Sequence, residues 1–275
     1  NQGTPGEHGN LLGIQPVVYA NDYRSPALLR RKLAAYLDKA RSEGLLNSKT
    51  IVVLPEHIGT WLVASGEKNQ VYTAASVSEA MAWLAVSNPW PLLKALFAAR
   101  GQDRLADALF RMKATQMASD YQTLFGGLAR DYGVTLVAGS IVLPEPHIED
   151  GILLPGDGPL YNVSQVFGAD GRPLGQPQRK VVPIIDEQGF TAAARADQLT
   201  VVDTPAGRLG VLVCADSWFP KNYQALGKER VDLLAVPAFL TGNGSWNKPW
   251  GGYNGAATPD DVPVSYTHLT LPTIY

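Results

Sequence analysis

The stretch "LGVLVCADSWFP", from Leu209 to Pro220, contains the only cysteine of the 275-residue chain, Cys214. An apolar run precedes this cysteine, which is typical of a buried strand, and polar residues begin two positions after it. A thiol at such a strand end has two interpretations. It is a small side chain that fills the core, the commoner role of a lone cysteine, or it is a nucleophile at the mouth of the strand. The rest of the sequence decides between them.

The surrounding pattern is that of a layered α/β domain. The β-branched, apolar runs at Thr50–Leu54 and Val134–Leu143 predict strands, and the segment Ser25–Gly44 predicts a helix that begins at a Ser-Pro pair. The Asp170-Gly171 pair between two further strand-like runs predicts a hairpin. Strands that alternate with helices and also form hairpins indicate a mixed sheet.

Composition excludes several classes of function. The formal net charge of −2 gives no electrostatic reason to bind nucleic acid or an anionic membrane. The four histidines are scattered, and the sequence has no CxxC, HExxH or glycine-rich phosphate loop. We therefore expect no metal, no cofactor, no nucleic-acid partner and no membrane contact. A single cysteine cannot form an internal disulfide, which favours a cytoplasmic location.

Two other apolar runs also adjoin reactive residues. Glu56 follows the run in "VVLPEH", and Lys180 stands directly before the run in "RKVVPIIDE". A cysteine that attacks an acyl carbon needs a base for its proton, a cation for the developing oxyanion and a proton for the leaving amine. A lone Glu or Lys is more often an exposed charge. Together, however, Glu56, Lys180 and Cys214 form a complete catalytic set.

These three motifs, in this order and with their flanking Pro and Gly residues, resemble the nitrilase or carbon-nitrogen hydrolase superfamily. The resemblance covers about residues 11–240, apart from roughly 76–118. It implies an α/β fold in which mixed sheets form a four-layer αββα sandwich. It also implies that Cys214 is a nucleophile that forms a thioester, that Glu56 is the general base, and that Lys180 holds the oxyanion together with the backbone N–H of Ala215.

The same resemblance suggests three supporting residues. Glu187, seven positions after Lys180, matches a second glutamate that positions substrate and supports the triad in many members. His57 stands beside Glu56, but a general-base histidine is not part of this triad, so we expect it to line or support the pocket. Trp218 is expected to flank the pocket.

The residues after the nucleophile bear on the substrate. Nitrile-cleaving relatives tend to carry Trp-Glu there, whereas this chain carries Ala215-Asp216, which places it nearer to amidases and carbamoylases. We therefore expect a small-molecule carboxamide or N-carbamoyl substrate and the release of ammonia or an amine. Nitrile hydrolysis, N-acyl transfer on the same triad, and a catalytically silent binding or assembly module with the same fold are the alternatives.

The domain organisation follows from the same comparison. We expect a single domain over residues 11–264 with a helical, Trp-rich insertion at about 76–118. Fewer residues follow the strand that ends near Leu240 than the family pattern requires, so we expect a truncated C-terminus. Residues 265–275 lack Asp, Glu, Lys and Arg and are expected to be a non-native tail. We also expect a homo-oligomer, a dimer or larger.

Overall fold

The structure is a computed structural model that describes residues 5–239, so the expectations about the C-terminus and the tail 265–275 lie outside it. The described strands are β1 (Asn10–Gly13), β2 (Thr50–Val53), β3 (Thr135–Val137), β4 (Ile141–Pro144), β5 (His147–Glu149), β6 (Ile152–Leu154), β7 (Leu160–Phe167), β8 (Pro173–Arg179), β9 (Val201–Thr204), β10 (Gly207–Val211) and β11 (Leu233–Ala235). The described α-helices are α1 (Pro26–Ser42), α2 (Asn69–Thr73), α3 (Val77–Ser87), α4 (Pro89–Ala98), α5 (Arg104–Tyr132) and α6 (Pro220–Gly227).

Six strands form a large mixed sheet. Strands β1, β2 and β3 are parallel neighbours, and β7 runs antiparallel to β3, β4 and β8. Strands β3 and β4 pair with successive parts of one edge of β7, and β8 pairs with β7 as well. A second, three-stranded sheet has the order β11-β10-β9, with β10 parallel to β11 and antiparallel to β9. A small hairpin joins β5 and β6.

Alternating side chains of the large sheet belong to two separate apolar clusters, because successive residues of a strand point to opposite faces. One face carries Val52, Leu136 and Phe167, which pack with side chains of α1 and α5. The other face contributes Ile51, Val137 and Val166 to a second cluster. That cluster also contains side chains of the second sheet: Leu209, Val211 and Ala235.

A third cluster lies on the far side of the second sheet. It contains Leu212, which directly follows β10, and Leu226 of α6. Three apolar interfaces therefore separate four layers in the order helix, sheet, sheet, helix. The predicted αββα sandwich is confirmed.

Local sequence explains the two helices that cover the large sheet. Helix α1 begins where the Ser25 side chain accepts a hydrogen bond from the N–H of Leu28, with Pro26 at the first helical position. Helix α5 begins at Asp103, whose side chain accepts from the N–H of Ala106, and ends at Gly133, which has a left-handed φ of 64°. These capping groups satisfy backbone donors and acceptors that a helix end otherwise leaves open.

The segment 76–118 is helical and comprises α3, α4 and the first half of α5. The helix α5 continues through position 118, so its buried part belongs to the main helical layer rather than to a separate unit. Helices α3 and α4 expose large apolar side chains, among them Trp90 at 79% and Phe97 at 84%.

The homo-oligomer stays a prediction. Within residues 5–239, no helix is both long enough and apolar enough to cross a membrane.

Candidate active site

The three predicted reactive residues each follow a strand. Glu56 follows β2, Lys180 follows β8, and Cys214 follows β10. Strands β2 and β8 point the same way, because β7 is antiparallel both to β8 and to β3, the parallel neighbour of β2. Their carboxyl ends therefore meet at one edge of the large sheet. All three side chains are buried, with residue exposures of 3% for Glu56, 1% for Lys180 and 8% for Cys214.

The Lys180 ammonium lies between two carboxylates. Its Nζ donates to Glu56 Oε1 at 2.8 Å and to Glu187 Oε2 at 2.5 Å. Burial by itself lowers the pKa of Lys180, but the charges of Glu56 and Glu187 outweigh it and hold the pKa above its ordinary value. Burial likewise favours a higher pKa for Glu187, but the hydrogen bond from His57 and the charge of Lys180 lower it to about 2. The lysine is therefore a permanent cation and Glu187 a permanent anion at neutral pH.

Asn162 is a member of this cluster that sequence reasoning missed. It lies on β7, is 1% exposed, and its Nδ2 donates to Glu56 Oε1 at 3.0 Å and to Glu187 Oε1 at 2.6 Å. Two carboxylate acceptors fix the assignment of the amide nitrogen, because the amide oxygen would repel them. The available signal was an asparagine inside the apolar strand "LYNVSQVF", where a buried polar group needs a partner.

His57 joins the cluster through Glu187. Its Nε2 is 3.4 Å from Glu187 Oε1, and its Nδ1 is 3.1 Å from the hydroxyl oxygen of Thr60. The ring thus pairs with the Glu187 carboxylate through Nε2 and with the Thr60 hydroxyl through Nδ1. The backbone of His57 has a left-handed φ of 62°, and its N–H donates to Ser140 Oγ at 2.8 Å. His57 thus lies against the second glutamate, and its supporting role stays a prediction.

Cys214 begins the 3₁₀ turn Cys214–Trp218 and has a left-handed φ of 49°. Such a backbone conformation costs on the order of 1–3 kcal/mol for a residue with a side chain. The N–H of Cys214 donates to the carbonyl oxygen of Pro237 at 2.8 Å. Burial and the neighbouring Glu56 charge raise the pKa of the thiol to about 12, against the opposing effect of Lys180. The thiol is therefore neutral at rest and needs a base before it can attack.

The other two residues of the predicted set lie in the same turn. Ala215 directly follows the nucleophile position and is fully buried. Trp218 ends the turn and is half-buried. The roles of Ala215 and Trp218 stay predictions.

Asp216 has a contact that the sequence did not reveal. Its carboxylate accepts the backbone N–H groups of Val181 at 3.0 Å, Val182 at 2.7 Å and Val213 at 3.2 Å, and the residue has no exposed surface. Burial raises the pKa of Asp216 to about 7, against these donors, which favour the ionised form. The Asp216 carboxylate therefore links the segment after Lys180 to the Cys214 turn through hydrogen bonds.

Three side chains of the cluster offer donor atoms that a metal ion could use. Glu56, His57 and Glu187 each place one such atom within 4.8 Å of the others. The Lys180 ammonium, however, contacts both carboxylates, so a divalent cation would have to displace it. In the described site, the ammonium acts as the counter-ion of the carboxylate pair.

A family model matches most of the chain. The family model "Carbon-nitrogen hydrolase" matches residues 50–253, which includes Glu56, Lys180 and Cys214. The chain belongs to the carbon-nitrogen hydrolase family. The matched region contains most of the large sheet and the whole described second sheet.

Individual relatives of this carbon-nitrogen hydrolase are distant. The chain is 30% identical to a deaminated glutathione amidase of Yersinia enterocolitica over 130 residues, 43% of this chain and 42% of the relative. It is 30% identical to the omega-amidase NIT2 of Danio rerio over 146 residues, 50% of this chain and 49% of the relative. The chain thus spans less than half the length of these curated relatives. Among solved structures, an amidase from Nesterenkonia sp. is similar with a TM-score of 0.48 and 18% identity, over 86% of this chain and 66% of that chain.

Proposed function

We propose that the chain hydrolyses a carboxamide or N-carbamoyl group of a small molecule, through a thioester on Cys214. The observation that carries this proposal is the Lys180 ammonium, held at 2.8 Å and 2.5 Å from two buried carboxylates beside a neutral thiol. This arrangement supplies a base, a cation and a nucleophile in one buried site.

In the first half-reaction, Glu56 takes the thiol proton while the sulfur of Cys214 attacks the carbonyl carbon. The carbonyl oxygen becomes an oxyanion, which the Lys180 ammonium and the N–H of Ala215 stabilise. The C–N bond then breaks, and the amine leaves with the proton that Glu56 had taken. The products of this step are an acyl thioester on Cys214 and ammonia or an amine.

In the second half-reaction, a water molecule attacks the thioester. Glu56 takes a proton from the water, the oxyanion forms again at the same donors, and the C–S bond breaks. The proton returns to the sulfur, which restores the neutral thiol. Glu187 takes no proton in this scheme. Its charge holds Lys180 in place.

The substrate class rests on two supports. Ala215-Asp216 follows the proposed nucleophile, and two of the relatives reported above are named as amidases. The names of these relatives, an omega-amidase and a deaminated glutathione amidase, suggest which compounds to test first. We therefore propose amides of small carboxylic acids as the first substrates. The chain is proposed to work without a cofactor, as expected from its sequence.

The test is a panel of amides, N-carbamoyl compounds and nitriles, scored for ammonia release. The purified chain is compared with Cys214→Ser, Glu56→Gln and the control Glu149→Gln, which changes an exposed glutamate of β5. We expect amides or carbamoyl compounds to react, the control to match the unchanged chain, and the first two variants to lose nearly all turnover. Reaction of nitriles but not of the corresponding amides would contradict the substrate class. The absence of any turnover would favour the silent module.

A further inference from the structure

We infer that Asn162 is a positioning residue that keeps the carboxylate pair Glu56 and Glu187 ionised and correctly placed. This inference deepens the proposed function and rests on it for the role of Glu56 as base. Asn162 does not need to touch substrate to act, because its effect reaches the reaction through the two carboxylates.

The charges of the site explain why such a residue is needed. Two buried carboxylates share one ammonium, so two acidic groups face one lysine charge. Backbone N–H groups also donate to them, from Ile184 to Glu187 at 3.0 Å and from Phe239 to Glu56 at 3.3 Å. The His57 ring lies beside both, with Nε2 at 3.4 Å from Glu187 and 3.8 Å from Glu56. Carboxylates that share a buried site cannot both ionise easily without further donors. Asn162 supplies two N–H groups at 3.0 Å and 2.6 Å, one to each carboxylate. A neutral amide can thus stabilise both anions without adding a charge.

The backbone of Asn162 makes the same residue a fixed point for the cation. Its carbonyl oxygen accepts the backbone N–H of Lys180 at 2.8 Å, and its own position is set by pairing with Val142 of β4. One residue of a buried strand therefore makes both the side-chain hydrogen bonds to the carboxylates and the backbone hydrogen bond to Lys180. Through Asn162, the large sheet places Glu56, Glu187 and Lys180 relative to one another.

Loss of these donors should change the pH dependence of activity. Without them, the carboxylate pair as a unit binds a proton more readily, and a pair that holds a proton is a poorer base for the thiol. Hydrogen bonds to charged groups typically stabilise the anion enough to move the acid limb of a rate profile by about one to two pH units. Near the foot of that limb, kcat/KM should fall by about ten- to a hundred-fold, and it should recover at alkaline pH.

The experiment measures kcat/KM between pH 5 and pH 9.5 for the unchanged chain and for Asn162→Val and Asn162→Ser. Valine suits a strand and donates nothing, whereas serine has one hydroxyl proton and can serve at most one carboxylate. The matched control is Ser164→Ala, which changes another buried polar residue on the same face of β7. Urea unfolding is recorded for every variant at the same pH values.

We expect the acid limb to move up most for Asn162→Val, less for Asn162→Ser, and not at all for Ser164→Ala. The urea midpoints should show the same pH dependence. The difference in stability between the unchanged chain and Asn162→Val should grow as the pH rises, because the folded variant holds an extra proton at low pH and loses it. An equal loss of activity at every pH, with parallel urea midpoints, would overturn the inference and leave the proposed function intact. If the unchanged chain has no activity, the proposed function fails, and the urea midpoints alone decide the inference.

Discussion

Replacing Lys180 by methionine should expose how strongly the buried ion cluster depends on its cation. Lys180→Met keeps the length of the side chain and removes its charge, which leaves Glu56 and Glu187 buried without a counter-ion. Removing one partner of a buried ion pair is strongly destabilising, because the remaining charge has lost both water and partner. We therefore expect a large loss of folding stability at neutral pH.

The magnitude follows from Glu187. Its pKa is about 2 in the folded protein and 4.5 in the absence of the fold, and this difference corresponds to about 3 kcal/mol of stability. Because the folded value is the lower one, this contribution is fully present above pH 4.5 and is lost as the pH falls towards 2. His57 and Lys180 together hold this pKa down, so removal of Lys180 raises the pKa of Glu187 and takes away part of the contribution.

The assay is urea unfolding followed by tryptophan fluorescence at pH 7.5, 5.5, 4.0 and 3.0. We expect Lys180→Met to be less stable than the unchanged chain by about 3 kcal/mol or more at pH 7.5, and the two to converge as the pH approaches 3. The control is Arg195→Met. Arg195 is 2.5 Å from Asp197, the same separation as Lys180 from Glu187, but both side chains are exposed. This control should barely change the midpoint. A loss that is equal at every pH would refute the reasoning.

Two further substitutions test how the backbone positions the reactive residues. Gly139→Ala should lower the urea midpoint and abolish turnover. Gly139 has a φ of 59°, and an added Cβ would lie 2.0 Å from the carbonyl oxygen of Pro55, the residue before Glu56. The control Gly127→Ala lies in α5 with its nearest neighbour at 3.7 Å, so its midpoint should stay or rise; equal losses in both would contradict the account. Asp216→Asn should lower the free energy of unfolding by about 1–3 kcal/mol, because the amide NH₂ of asparagine would face backbone N–H donors. These donors link the Lys180 segment to the Cys214 turn, so the substitution should also reduce kcat more than it changes KM. Unchanged kcat would show that this tie is unnecessary.

Much of the fold and site could be predicted because the informative residues occupy strand ends. Glu56, Lys180 and Cys214 each adjoin an apolar run, and the chemistry of acyl transfer needs those three types together. The resemblance to the family suggested Glu187, and in the structure its carboxylate accepts a hydrogen bond from the Lys180 ammonium. These predictions depended on local pattern, which a sequence carries directly.

The missed contacts depend on tertiary structure. Asn162 lies in the middle of a strand, and nothing local indicates that Glu56, 106 positions away, is its partner. Asp216 stood in a motif that suggested a substrate class, whereas its carboxylate binds backbone N–H groups of a segment 34 and 35 positions earlier. The left-handed backbones of His57 and Cys214 are also invisible in sequence, because such conformations are held by the surrounding fold.

The most direct test of the central claim is a mass measurement on the nucleophile during turnover. The chain is mixed with an amide that it hydrolyses, quenched in acid, and digested so that the peptide containing Cys214 can be weighed. Because the sequence has a single cysteine, a thioester can form at one position only. We predict an added acyl mass on Cys214 that neutral hydroxylamine removes, and no such adduct and almost no ammonia release in Cys214→Ser. Ammonia release that continues undiminished in Cys214→Ser, with no acyl mass on Cys214 in the unchanged chain, would contradict the account.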